Sequence, residues 1–256
     1  MLTLKEWLRT PEMRELKEYT QTELLTEKFF RDPFRRLYYN PNKMYSPADG
    51  VVLYAHDRIG PREKIVEVKG KNFTVQDLLY DYNYESDSLI VGVFMTIMDV
   101  HINRMPTNGY ISETMETPFI YTHNTSMTPL ELGLFYQEIG VTFNGNMNYL
   151  FKNEKLVTTV ACPRIEGEYY VVQIADRDVN CIVNWGEGDF LQQGERFGMI
   201  RWGSQVDLVI PLDGLDEETD IKYNILAKPF HHVLGGVDAL VEIEDIKDDQ
   251  VQPAGV

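Results

Sequence analysis

Three short stretches of this chain hold residues able to do chemistry. Gly203-Ser204 stands between two apolar runs, Met199-Ile200 and Val206-Asp207-Leu208-Val209-Ile210. Glycine has no Cβ, so a side-chain oxygen can come close to its carbonyl and the backbone can take unusual angles. The second stretch places His101, Asn103 and Arg104 within four positions, directly after the apolar run 89–95. Polar clusters at strand ends are common places for a site. The third is Asp49, in Ser46-Pro47-Ala48-Asp49-Gly50. Each also has a plain reading. Gly-Ser and Pro-Ala-Asp-Gly are ordinary turn sequences, and a lone histidine serves structure more often than catalysis.

Other polar groups carry weaker signals. The glycines of the run 186–198 read as tight hairpin turns, with a rhythm also found in biotinyl and lipoyl carrier domains. No lysine stands in that run to carry a swinging cofactor. The remaining histidines are His56, His123 and the vicinal pair His231-His232. None has further ligands at a recognisable spacing, and zinc needs three or four convergent groups, so no metal is expected.

The elements that must position these residues are of two kinds. Residues 3–40 read as helical, with Thr10 as N-cap, Pro11 at the first helical position, and Met13, Leu16, Leu24, Leu25, Phe29 and Phe30 recurring among charges. This arm, residues 1–44, is expected either to pack on the rest of the protein or to touch a membrane through Trp7, Leu8, Phe29 and Phe30. From Tyr45 onward, runs rich in Val, Ile, Tyr and Thr predict strands over 50–54, 89–95, 156–160, 169–174 and 206–210. A short helix is expected within 128–140, and a loose, solvated acidic tail over 242–250. The fold class is mainly β (α+β). A sandwich- or barrel-like core with hairpins over 45–256 carries the N-terminal helical arm.

Composition narrows the function. The 256 residues are 43% hydrophobic, enough for a sizeable core, and the formal net charge is −16. Such a surface argues against nucleic acid, whose affinity rests on Lys and Arg at phosphates. Residues 1–45 carry nine Lys/Arg and seven Asp/Glu, a net of +2, so only the arm suits an acidic lipid surface. Cys162 and Cys181 read as reduced thiols. The first residues lack the apolar core of a signal peptide, and no run is long enough to span a bilayer. The expectation is a cytoplasmic protein, able to sit peripherally on a membrane.

Taken together and in order, six segments resemble the phosphatidylserine decarboxylase family, in its compact prokaryotic-type branch. They are "FFRDP", "SPADGVV", "FMTIMDVHINRMPTNGYI", "FKNEKL", "VVQIADRDVNCIV" and "GEGDFLQQGERFGMIRWGSQVDLVIP", and they span about residues 29–212. The resemblance implies self-cleavage between Gly203 and Ser204. Residues 1–203 become one chain and the 53 residues 204–256 the other, which begins with a pyruvoyl group made from Ser204. It maps a Ser-His-Asp set onto Ser204, His101 and Asp49, in which Asp49 orients His101 and His101 activates the serine hydroxyl. The mature group condenses with an amine substrate as a Schiff base and accepts the electrons released as CO₂ leaves.

The substrate so implied is phosphatidylserine, converted to phosphatidylethanolamine, with Arg104 and Arg201 as candidate headgroup donors. The two fragments stay together as a heterodimer, and a homodimer is a further expectation by analogy. The chain departs from the family pattern at Arg104, where some members carry a second histidine, and at Asp178, Asn180 and Cys181, close to paired arginines in others. Two other functions fit the same residues: decarboxylation of a free amino acid, and an unprocessed, catalytically silent binding or assembly protein.

Overall fold

The computed structural model describes residues 1–117, 124–136, 147–177, 181–201, 204–213 and 221–245. Among these, nine strands form one antiparallel sheet. Their order is Leu2–Thr3, His231–Val233, Gly50–Ile59, Ser88–Met95, Ser204–Pro211, Gly167–Ala175, Lys155–Cys162, Gly109–Glu116 and Phe190–Leu191. The Ser204–Pro211 strand is central, flanked by Ser88–Met95 and Gly167–Ala175. The five β-rich runs read from the sequence all fall within strands of this sheet. A mainly-β, α+β fold is what the chain adopts.

The period-two alternation of strands sends successive side chains to opposite faces. Leu89, Val91, Val93, Val206, Leu208 and Ile210 enter one apolar cluster, joined by Phe197 and Ile200 from one three-stranded sheet and Met44 and Val241 from another. Ile90, Phe94, Val172 and Val209 enter a second cluster on the other face. That face is covered by helical segments, through Trp7, Met13, Leu16 and Leu24 of the arm and Leu78 of the helix Val75–Leu79.

The N-terminal residues are less helical than their pattern predicts. Thr10 does cap the helix Pro11–Leu16, its hydroxyl accepting from Met13 N at 3.3 Å. A wide turn, Leu24–Lys28, closes the helical part, and residues 31–40 are irregular. Pro33 disfavours helical geometry at Asp32, and Arg35 is anchored far along the chain instead. Trp7 and Phe29 are 6% and 1% exposed, so neither faces a membrane as one reading of the arm required. The expected loose tail is likewise corrected in part: Ala239–Asp245 is a strand, paired with Ile221–Ile225, and only the residues after 245 lie outside the description.

On the helix-covered face the central strand also buries polar groups. Gln205 donates to Asp207 at 2.9 Å and to the Tyr54 hydroxyl at 2.7 Å, Tyr54 donates to Asp207 at 3.1 Å, and Tyr149 donates to Gln205. Gly92 makes the room, since a Cβ there would lie 2.5 Å from an Asp207 oxygen. Burial pushes the Asp207 carboxyl up to about 7, against the pull of Gln205, Tyr54 and Lys155. The folded state therefore holds a proton that the unfolded chain has released. Between about pH 4 and 7 this group lowers stability as pH rises, by up to about 1.4 kcal/mol per unit. Asp207→Asn is expected to flatten the stability–pH curve over that interval, measured by denaturant unfolding at several pH values. A slope equal to the parent's would refute the assignment.

Candidate active site

Ser204 is the first residue of its strand and has no exposed surface. It faces Met95 on one neighbouring strand and Ala175 on the other, and its hydroxyl lies 3.0 Å from Met95 Sδ. A thioether is a weak acceptor, so among the described residues nothing strong holds this proton. Asn103 Nδ2 approaches the same sulfur, at 3.8 Å, and Gln173 fixes the amide by donating to Asn103 Oδ1 at 2.8 Å. The serine is thus fully buried, with one amide donor close by.

His101 is brought to this end of the sheet by two backbone connections. Residues 96–100 lead from Met95, the partner of Ser204, to His101, while Ile200 N donates to His101 O at 3.1 Å, four positions before Ser204. The imidazole is 1% exposed. Its Nδ1 lies 3.0 Å from the Asp99 carbonyl, an atom that can only accept, so Nδ1 carries the hydrogen and Nε2 the lone pair. Nε2 is buried and has no partner among the described residues. Burial pushes the ring down to about 4, with Asp99 acting the other way, so it is neutral at pH 7. Phe29 stacks on it at 3.7 Å between ring centres.

Asp49 is placed otherwise than a Ser-His-Asp set requires. Both of its oxygens accept from the Arg35 guanidinium, and Oδ1 also accepts from Gly235 N at 2.7 Å. Among the described residues it makes no hydrogen bond to His101. The strand it precedes begins with Gly50 at φ +153°, where a Cβ would meet the Phe94 carbonyl oxygen at 2.2 Å. Gly203 lies outside the described residues, as do His123, Asp178 and Asn180.

The two candidate headgroup arginines differ. Arg104 is buried, donating to Gly194 O at 2.9 Å and to Asp32 at 3.2 Å, and its Nε has no partner among the described residues. Arg201 is exposed, with its N–H on Cys181 O at 2.8 Å. A cleft of about 670 Å³ is lined by Arg35, Arg104, Arg196, Phe34, Leu37 and Trp185. Arg196 pairs with the second oxygen of Asp32 at 2.7 Å. Asp189 and Glu195 also line the cleft, so with Asp32 and Asp49 four carboxylates stand against the three guanidiniums and no positive excess results.

Sequence reasoning passed over Asn103 as a donor, Asp99 as the partner of His101, and Arg35 as the partner of Asp49. Asp99 stood in plain view, two residues before the histidine. The vicinal His231-His232 pair splits, as neighbours in a strand must. His231 bonds Pro229 O at 3.2 Å, while His232 turns inward to Asp99 at 2.7 Å. Cys162 and Cys181 are buried and not joined in a disulfide. Among the described residues no helix is long and apolar enough to cross a membrane.

Fold and site define a class: an antiparallel-β protein with a buried serine at the head of a central strand and a neutral histidine held at the same sheet end. A family profile for phosphatidylserine decarboxylase matches residues 23–237. The chain is 31% identical over 189 residues to a protein of Desulfotalea psychrophila named phosphatidylserine decarboxylase proenzyme, covering 72% of this chain and 68% of that one. Proteins of the same name from Wolbachia pipientis and Ehrlichia ruminantium are 32% and 26% identical, over 74% and 89% of this chain and 67% and 79% of theirs. The chain belongs to the phosphatidylserine decarboxylase family and is a decarboxylase, a carboxy-lyase.

Proposed function

We propose that this protein cuts itself between Gly203 and Ser204 and then decarboxylates phosphatidylserine. The observation that carries the reading is the buried Ser204 hydroxyl, bonded among the described residues to a thioether alone, at the sheet end that holds His101 Nε2, which has no partner among those residues. His101 takes the hydroxyl proton as Ser204 Oγ bonds to the Gly203 carbonyl carbon. The Gly203–Ser204 C–N bond breaks, leaving an ester and a free amine. Loss of the Ser204 α-proton expels the Gly203 carboxylate and leaves a dehydroalanine. One water adds, ammonia leaves, and a pyruvoyl cap remains on residue 204. The Asn103 amide, which shares the Met95 sulfur with the Ser204 hydroxyl, is the donor assigned to the oxygen that gains charge, in a site where such a bond acts at low dielectric.

The surroundings of Ser204 fit this group, because Met95 Sδ demands nothing of a methyl ketone and Asn103 Nδ2 can donate to its oxygen. When formed, the cap supplies an electrophilic carbonyl for the substrate amine and a sink for the electrons of the departing CO₂. Asp49 serves by tying Arg35 of the arm to the Gly235 turn, and the orientation of His101 falls to the Asp99 carbonyl. Arg104 and Arg196 offer guanidinium donors to the phosphodiester, the geometry such groups favour. Contact with a bilayer falls to residues 30–39, where Phe30, Phe34, Tyr38 and Tyr39 are exposed beside Arg35 and Arg36.

The test is intact mass combined with CO₂ release. Purified protein is expected as two chains, the smaller one starting at residue 204 without a free amine. It should release CO₂ from phosphatidylserine in detergent micelles and not from free serine. An unbroken chain with an ordinary Ser204 would overturn the reading, and turnover of the free amino acid alone would remove the lipid from it.

A further inference from the structure

We infer that His232 is a positioning residue for the chemistry at His101, acting through Asp99. The strand His231–Val233 pairs His232 with Val51 on one side and with Leu2 on the other. The ring is 4% exposed, and its Nε2 lies 2.7 Å from Asp99 Oδ1. A carboxylate only accepts, so His232 donates. The other oxygen, Oδ2, accepts from Thr96 N and Thr96 Oγ1, both at 2.8 Å. The main-chain oxygen of Asp99 accepts from His101 Nδ1 and, at 3.4 Å, from Arg31. One residue therefore joins two histidines: its carboxylate is pinned by His232, and its carbonyl sets which nitrogen of His101 bears the proton.

The arm completes the arrangement from outside. Trp7 stacks on His232 at 4.2 Å with 9° between the planes, and Phe29 stacks on His101 at 3.7 Å. Two of the three aromatics that suggested membrane contact fix the two imidazoles face-on. Without the His232 donor, Asp99 Oδ1 would be a buried carboxylate oxygen with no partner among the described residues, a costly state that the turn 96–99 would relieve by moving. The carbonyl that holds His101 belongs to that turn.

The arrangement also has a consequence that rests on the proposed self-cleavage. His232 would then belong to the fragment 204–256, whereas Asp99, His101, Trp7 and Phe29 belong to 1–203. The bond between His232 and Asp99 would tie the fragment bearing the new cap to the loop bearing the base.

The experiment compares His232→Phe, which keeps a ring against Trp7 but removes the donor, with His232→Gln, which restores an N–H. In uncleaved or cleaved full-length protein, ¹⁵N NMR of His101, assigned by its loss in His101→Ala, should show the Nδ1–H tautomer in the parent and in His232→Gln. His232→Phe should show a mixture. Self-cleavage should slow about 10- to 100-fold in His232→Phe, the range known for groups that orient a ligating histidine from outside. Kcat should fall with KM unchanged, and His232→Gln should recover most of the loss. A folded His232→Phe with the parent tautomer and parent rates would overturn the inference. Should His232→Phe not fold, a His232→Ala protein with the parent tautomer would do the same. A parent chain that never cleaves sinks the proposed function, yet the NMR comparison still decides the role of His232.

Discussion

Ser204→Ala is expected to remain one unbroken chain with no decarboxylase activity. The substitution removes a single oxygen, the only atom able to form the ester that precedes peptide-bond rupture. The structural cost is small. Ser204 is paired in the ladder with Met95 and Ala175 through its backbone, and among the described residues its hydroxyl gives up only a contact to a thioether. Alanine matches the size of its neighbour Ala175 and introduces no buried group in need of a partner. The variant should therefore melt within a few degrees of an uncleaved parent, which separates lost chemistry from lost fold. Intact mass after prolonged incubation is the measurement. Two fragments ending and starting at positions 203 and 204 would rule out the hydroxyl as the attacking group. Ser204→Cys provides the counter-test, since a thiol can still attack and should restore a slow cut.

The second large effect is expected at His101. His101→Gln should slow self-cleavage by about 10²- to 10⁴-fold, the usual contribution of a positioned base. Glutamine preserves bulk beneath Phe29 and can donate to the Asp99 carbonyl, but it offers no basic nitrogen. The pH dependence of the parent gives an independent reading of the same residue. Burial holds the ring neutral down to about pH 4. The base-competent form is thus fully present above that value and disappears as pH falls through it. The rate of cleavage should be level through pH 6.5 and show its acid limb near 4, for as long as the fold persists. A limb centred near the ordinary histidine value would mean that the ring is solvated when it acts. A His101→Gln protein cutting at the parent rate would dismiss His101 as the base.

Both expectations attach to residues that the sequence had already offered, and the contrast with the third member of the set is instructive. Ser204 and His101 were recognisable because each stands at the end of an apolar run, and the order of the surrounding segments resembled one family. Asp49 stood in an equally clear segment, yet its carboxylate is taken by Arg35 and Gly235 N. Nothing local forecasts that choice. Arg35 lies in residues whose pattern looked helical, and it reaches Asp49 only because Pro33 and the residues around it leave the helix.

The sequence by itself determined five strands of the large sheet, the Thr10 cap and the family, and it offered Ser204 and His101 as candidates. These are encoded locally, by period-two alternation, by capping chemistry and by contiguous motifs. The tertiary structure decided the pairing of Asp99 with His232 across 133 positions, the burial of Trp7 and Phe29 against two imidazoles, and the gathering of Arg35, Arg104 and Arg196 around one cleft. Such contacts depend on which strands become neighbours and in what register, and a shift of one residue would turn each side chain to the opposite face. Register is set by the packing of the whole sheet, and no window of sequence contains it.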